Sequence, residues 1–303
     1  MVLSSDGQTV GITSHPSKLS LIGLFGFPVE HSLSPVMHNA AIAALNLSYS
    51  YIPFSVRPEE IGPAIRSLIS LSIRGVNLTI PHKISVLPFL DEVSKEAEMV
   101  GAVNTVVNEN GRLIGYTTDG AGLLRSLAEI GFNSSNRAVV VLGAGGAARS
   151  AAFRLAQEGA NLTLVNRSLL RAEELAQDVK QHFPELSVEV LESRNELGFR
   201  RALDLAELLI NATSVGLYPN VDEEPPIPPS SLHANLTTLD MIYNPSRTRL
   251  LQEALLMGGK VINGLPMLVY QGAESFRIWT GIDPPVDVMM QAAEAVLKGD
   301  RAI

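Results

Sequence analysis

No cysteine occurs among the 303 residues. Disulfides, thiolate-ligated zinc and thiol nucleophiles are thereby excluded, and the chain suits a reducing compartment such as the cytoplasm. Positive charge is also scarce, with 23 Lys and Arg against 31 Asp and Glu and a net charge of -8. That balance argues against nucleic acid as a main partner. It leaves a small anionic ligand open, because local basic groups decide that. No apolar run reaches the roughly 18 residues needed to span a bilayer, so no membrane association is expected. The six histidines (His15, His31, His38, His82, His182 and His233) show no HExxH or other metal spacing, and no metal is expected. Internal repeats and low-complexity tracts are absent. Met1 to Lys18 is polar, carries Asp6 and lacks the basic and apolar parts of a secretory signal. A frayed extension ahead of the first strand is expected there.

What is present is core-forming material. Apolar residues make up 46% and charged residues 18%, which excludes general disorder and, at this length, gives room for about two domains. The first half alternates strands and helices. Leu19 to Phe25 is an apolar strand closed by Gly26-Phe27-Pro28. Ser34-Pro35 opens a helix through Leu45, with Ser34 read as its N-cap and Pro35 as its first residue. Leu47 to Pro53 is a strand, and Pro58 to Leu71 a helix with Ile61, Ile65, Leu68 and Ile69 on one face. Val76 to Ile80 is a short buried strand ended by Pro81, which removes a ladder donor. A single helical stretch is expected around Val86 to Met99. Val103 to Val107 and Arg112 to Tyr116 flank a hairpin turn at Asn108 to Gly111. Such alternation implies a mainly parallel sheet.

A second rhythm begins near residue 137. The strand Ala138 to Leu142 runs into Gly143-Ala144-Gly145-Gly146-Ala147-Ala148 and then a helix to Glu158. Strands follow near Asn161 to Val165, Ser187 to Leu191, Leu208 to Asn211, Leu236 to Met241 and Lys260 to Ile262. This is the pattern of a doubly wound dinucleotide domain, in which the tight turn brings backbone N–H groups to a pyrophosphate. The tail from Met267 is helical in two pieces, separated by Gly281 to Pro285.

The end of the next strand selects the cofactor. NAD sites place Asp or Glu there for the ribose hydroxyl. This chain has Asn166, Arg167 and Ser168, with Arg171 one turn on. Guanidinium groups and a hydroxyl suit a 2′-phosphate, so NADP is favoured over NAD. Four further features stand out. Ser32 and Ser34 bring two hydroxyls to a helix entrance, a natural carboxylate site as well as a capping pattern. Asn104 is an amide at the start of an apolar strand. Asp119 sits in a glycine-flanked turn between the two halves, where it also reads as a turn or capping residue. Lys83 emerges just after Pro81 at the mouth of an apolar strand. Taken alone it reads as a solvated turn lysine; partly desolvated, it is a candidate for proton transfer.

Taken together, these segments resemble the shikimate/quinate dehydrogenase family. The resemblance is carried by Gly26 to Asn39, Gly75 to Lys83, Gly101 to Thr105, Thr118 to Gly120, Gly143 to Ala148, Asn166-Arg167, Asn211 to Gly216, Asp240 to Pro245 with Thr248, and Asn263 to Gly272. It implies an NADP-dependent shikimate dehydrogenase that reversibly reduces 3-dehydroshikimate to shikimate in chorismate and aromatic amino-acid biosynthesis. It implies that Lys83 relays the proton and that Asp119 holds Lys83 and a substrate hydroxyl. Ser32 and Ser34 would take the substrate carboxylate, and Thr79, Asn104, Tyr243 and Gln271 its hydroxyls or edge. The turn from Gly143 to Ala147, with Asn166, Arg167, Ser168 and Arg171, would hold NADP, with Met241 and Gly264 near the nicotinamide. It further implies a substrate domain of residues 1–121 plus 265–303 and a nucleotide domain of residues 122–264. The C-terminal helices would return to the first domain. The chain departs from the family pattern at Thr117, where Asn is common, and at Ser168, where Thr is common. Two rival readings are a quinate/shikimate dehydrogenase using NAD and a dinucleotide-binding regulator without turnover. Oligomeric state is not legible, and a homodimer is kept open.

Overall fold

The computed structural model describes residues 19–228 and 230–299, so the expectation for Met1 to Lys18 lies outside the described residues. Two six-stranded sheets carry the fold. The first contains β1 (Ser20–Gly26), β2 (Tyr49–Ser55), β3 (Gly75–Leu78), β4 (Glu92–Val93), β5 (Thr105–Glu109) and β6 (Arg112–Tyr116). Its order is β2-β1-β3-β5-β6-β4. β1 pairs parallel with β2 and β3, and β4 with β6, while β5 runs antiparallel to β3 and β6. The β5–β6 hairpin is the one expected at Asn108 to Gly111.

The second sheet contains β7 (Ala138–Leu142), β8 (Asn161–Asn166), β9 (Val188–Glu192), β10 (Leu208–Asn211), β11 (Thr237–Asp240) and β12 (Lys260–Ile262). Its order is β12-β11-β10-β7-β8-β9, parallel throughout. That is the doubly wound order, with its switch point between β7 and β10, and the expected α/β class holds. A ligand in such a sheet sits beyond the carboxyl ends of these two strands.

Helices cover both sheets: α1 (Ser34–Ala44), α2 (Ile61–Ser70), α3 (His82–Ser85), α4 (Lys95–Val100), α5 (Asp119–Glu129), α6 (Gly146–Gln157), α7 (Leu169–His182), α8 (Glu196–Leu205), α9 (Arg249–Leu256), α10 (Leu265–Thr280) and α11 (Val286–Gly299). The C-terminal pair returns to the first sheet as expected. Val269, Phe276 and Trp279 of α10 and Met289 and Ala293 of α11 pack in one core with Ile22, Tyr51 and Val107. A second core joins the two halves, because Leu123 and Leu127 of α5, Val100, Ala102 and Met267 pack with the strands and helices around β7.

Four expectations need correction. Leu33, not Ser34, is the N-cap of α1; Ser34 is its first helical residue, and no side chain caps the end. Ser32 instead accepts a hydrogen bond from the Ser34 N–H at 3.2 Å. The helix expected over Val86 to Met99 is broken into α3, a 3-10 turn at Leu87–Phe89, β4 and α4, because Pro88 cannot donate within a helix. The strand before Pro81 stops at Leu78 rather than Ile80, where His82 N–H bonds back to the Thr79 carbonyl at 2.8 Å. Asp119 is not in a loop but opens α5.

Candidate active site

Where the carboxyl ends of β7, β8, β10 and β11 face the first sheet lies a cavity of about 640 Å³, a size that suits a small molecule together with a cofactor. One wall is the β7–α6 turn. Gly143 adopts φ +108, a left-handed conformation that favours glycine, and lets the chain leave the strand sharply. Gly145 caps α6, and Gly143, Ala144, Gly145, Gly146 and Ala147 all line the cavity. The first turn of α6 thus aims its free N–H groups inward, as an anion requires. Asn166, at the end of β8, and Arg171, in the first turns of α7, also line the wall. Arg167 and Ser168 are exposed and stay off it, although Ser168 takes a 3.0 Å hydrogen bond from the Asn166 amide on its carbonyl. Among the described residues, no carboxylate lines this end. Met241 and Gly264 complete the inner edge.

The opposite wall carries the titratable pair. Lys83 sits in α3, just after the Pro81 turn, with its carbonyl held by the Val103 N–H at 2.8 Å. Its ammonium donates to Asp119 Oδ2 at 2.5 Å, with side-chain exposures of 18% for Lys83 and 5% for Asp119. The lysine therefore keeps a route to the cavity while the carboxylate is enclosed. Asp119 Oδ1 accepts from the Asn104 amide at 2.9 Å, and the same amide reaches Gln271 Oε1 at 3.0 Å and Thr118 Oγ1 at 2.8 Å. Asn104 Oδ1 accepts the Thr118 N–H at 2.9 Å. Asn104 thus stands one bond behind the wall, fixing both Asp119 and Gln271.

Ser32, Ser34, Thr79, Tyr243 and Gln271 line the same cavity. Burial pushes the Tyr243 phenol above its ordinary pKa, opposed by hydrogen bonds with Ser32 and the Leu33 backbone. It is therefore a neutral donor at working pH. Four hydroxyls, an amide and an ammonium–carboxylate pair converge on a space open to the glycine turn. Such a set binds a small polyhydroxylated anion and can move a proton at one of its oxygens.

Some lining residues were not singled out by sequence. Asn77 lies on the wall and is buried in β3, where it donates to the Asn104 carbonyl, Thr105 Oγ1 and Ser275 Oγ and accepts from the Tyr51 hydroxyl. Its signal was an amide between Val76 and Leu78. Ala212, Thr213 and Ser214 follow β10 and face the turn across the switch point; they lie in a motif noted above, without a role.

Three family models match the chain. They are described as shikimate dehydrogenase substrate binding domain over residues 24–106, shikimate / quinate 5-dehydrogenase over residues 126–215, and shikimate 5'-dehydrogenase C-terminal domain over residues 264–294. A shikimate dehydrogenase (NADP(+)) of Desulforamulus reducens is 45% identical over 90% of this chain and 94% of the relative. The chain belongs to the shikimate dehydrogenase family. A solved shikimate dehydrogenase in complex with NADP+ is 42% identical, with a TM-score of 0.86 over 92% of this chain and 96% of that one. The Thermus thermophilus member, solved with NADP(H) and shikimate, is 38% identical with a TM-score of 0.81, covering 92% of this chain and 100% of that one. Family membership accounts for the two sheets facing one cavity, since a shikimate dehydrogenase brings a nucleotide and a hydroxy acid together.

Proposed function

We propose that this protein oxidises shikimate to 3-dehydroshikimate with NADP+, and runs the reverse reaction in chorismate biosynthesis. The observation that carries the reading is the 2.5 Å Lys83–Asp119 pair in a cavity whose far wall is the glycine turn. The wall fits the cofactor: the N–H groups of the first turn of α6 would hold a pyrophosphate, and Arg171 with Asn166, in place of a carboxylate, would suit a 2′-phosphate. NADP+ bound there supplies the acceptor for the hydride that leaves the carbinol carbon.

The chain's own groups handle the rest. Lys83, once its ammonium has released a proton to solvent, takes the hydroxyl proton as the alcohol becomes a ketone, and in the reverse direction its ammonium returns the proton and stabilises the developing oxyanion. Asp119 holds Lys83 through one oxygen and is oriented by Asn104 through the other. Ser32 and Ser34 take the substrate carboxylate, while Thr79, Tyr243 and Gln271 meet its hydroxyls and edge. Of the described residues, those within 1–121 and 265–303 form the substrate unit, and those within 122–264 the nucleotide unit.

Steady-state kinetics with shikimate and quinate, each with NADP+ and NAD+, test the reading. The expected result is the highest kcat/KM for shikimate with NADP+. A preference for quinate with NAD+ would replace it by the nearest rival, and absence of turnover with retained NADP+ binding would leave a dinucleotide-binding regulator.

A further inference from the structure

Lys83 and the glycine turn belong to opposite walls of the cavity, yet they touch. A Cβ placed on Gly146 would lie 2.9 Å from the Lys83 Cβ and 3.3 Å from its Cδ. A Cβ on the preceding Gly145 would meet no heavy atom within 4 Å and would project into open space on the cavity wall. The two neighbours are therefore glycine for different reasons. Gly145 leaves room for a ligand. Gly146 is the first residue of α6, a helical position that any residue can adopt; what it leaves room for is the stem of Lys83. The Lys83 Cβ cannot swing aside as a side-chain tip could. Its backbone is held by the Val103 N–H at 2.8 Å, and the adjacent His82 ring is fixed on the Val56 carbonyl at 2.7 Å.

We propose that Gly146 is a positioning residue for Lys83: the bare backbone at the start of α6 is the seat against which the lysine stem lies while its amine meets Asp119. The proposal rests on the assignment of Lys83 to proton transfer. It gives the nucleotide turn a second task, because the element that receives the cofactor also sets the lateral position of the proton-relaying amine. A methyl group at 146 slides Lys83 off Asp119 and so misplaces the amine relative to the reacting oxygen, and shifts on the order of 1 Å cost about 100-fold in rate.

Gly146→Ala and Gly145→Ala separate the two roles. For Gly146→Ala the expected result is a fall in kcat of about 10- to 100-fold, a larger solvent deuterium isotope effect on kcat, and an NADP+ dissociation constant near the wild-type value. Gly145→Ala should instead raise the NADP+ dissociation constant. Loss of NADP+ affinity in step with turnover in Gly146→Ala, or an unchanged kcat, overturns the proposal. If Gly146→Ala does not fold, the wild-type protein decides. Labelling of Lys83 by an amine-directed reagent is followed by peptide mass spectrometry with and without 2′,5′-ADP, which fills the phosphate end of the site but carries no nicotinamide to cover the amine. Slower labelling with 2′,5′-ADP supports the seat, and unchanged labelling overturns it. Wild-type turnover of shikimate is measured alongside. Its absence would remove the functional reading, whereas the seat is judged by labelling and cofactor affinity.

Discussion

Asp119 offers its two oxygens to different partners, Lys83 on one and Asn104 on the other. The carboxylate is enclosed, so removing Lys83 leaves a buried charge with one amide, but it leaves the glycine turn untouched. Lys83→Ala should therefore lower kcat by about 100- to 10,000-fold, the usual size of a general acid–base contribution, while NADP+ titration gives a near wild-type dissociation constant. Intact turnover would sink the proton-relay role. The cofactor end allows a sharper contrast, because sequence treats Arg167 and Arg171 alike and the structure does not. Only Arg171 lines the cavity. A charge-assisted bond to a 2′-phosphate is worth about 1.5–3 kcal/mol, so Arg171→Ala should raise KM for NADP+ by about 10-fold or more and leave NAD+ kinetics nearly unchanged. Arg167→Ala should do less. An equal or larger effect at Arg167 would show that the sequence treatment was the better one.

At the scale of elements, the strand ends around the switch point are tied by a buried carboxylate. Asp240, the last residue of β11, accepts from the Asn211 amide at 3.0 Å, the Ile242 N–H at 3.1 Å and the Thr248 hydroxyl at 2.7 Å. It thereby fixes β10, the Met241–Tyr243 segment and the start of α9. Burial raises its pKa to about 6, offset in part by those three bonds. The folded state then binds more protons than the unfolded chain between about pH 4 and 6. Stability from this group is full below pH 4 and is lost as pH rises through 6, by about 3 kcal/mol at most. His38 works the other way. It is buried with both ring nitrogens unpartnered, its pKa is lowered to about 3 by desolvation, and its contribution is lost as pH falls below about 6.5. The difference between wild type and Asp240→Asn isolates the first term, since Asn keeps an acceptor for Asn211 and Ile242 and a donor for Thr248. Urea midpoints from pH 4 to 7 should show wild type losing ground to the variant as pH rises; parallel profiles would rule the titration out.

The same scale shows which parts of the fold were legible in sequence. Every strand of the second sheet is legible, because parallel strands in a covered sheet read as apolar runs. Helix α5 was not, because Gly120 and Gly122 lower its propensity and make Asp119 read as a turn residue. The short pieces between Val86 and Met99 were merged, because β4 is defined by its partner β6 rather than by its own pattern. The residues of the site were legible as motifs, but their convergence was not. The Lys83–Asp119 bond, Asn104 behind it and the Gly146 seat all depend on how α3, α5 and α6 meet.

For the molecule as a whole, the question is whether the two sheets unfold together. Besides the chain itself and polar contacts such as Arg149 Nε on the Val100 carbonyl at 2.8 Å, two packing features link them. The core around β7 includes Leu123 and Leu127 of α5, Val100 and Ala102 after α4, and Met267 of α10, so apolar surface from both halves is buried in one cluster. Across the cavity, the Lys83 stem lies on the first turn of α6. The single tryptophan, Trp279, stands on the far side of this arrangement. It is 1% exposed in the core of the first sheet, with its indole N–H on the Val106 carbonyl at 3.0 Å, and it takes no part in the cavity wall. Its fluorescence therefore reports the first sheet, whereas NADP+ at the proposed site would contact mainly the second. Ligand present at 100 times its dissociation constant stabilises the state that binds it by about 2.7 kcal/mol. If the shared core makes unfolding cooperative, saturating NADP+ raises the urea midpoint read by Trp279 fluorescence, by the amount that a probe in the nucleotide half reports. If Trp279 unfolds at the same urea concentration with and without NADP+, the halves unfold independently and the shared core does not couple them.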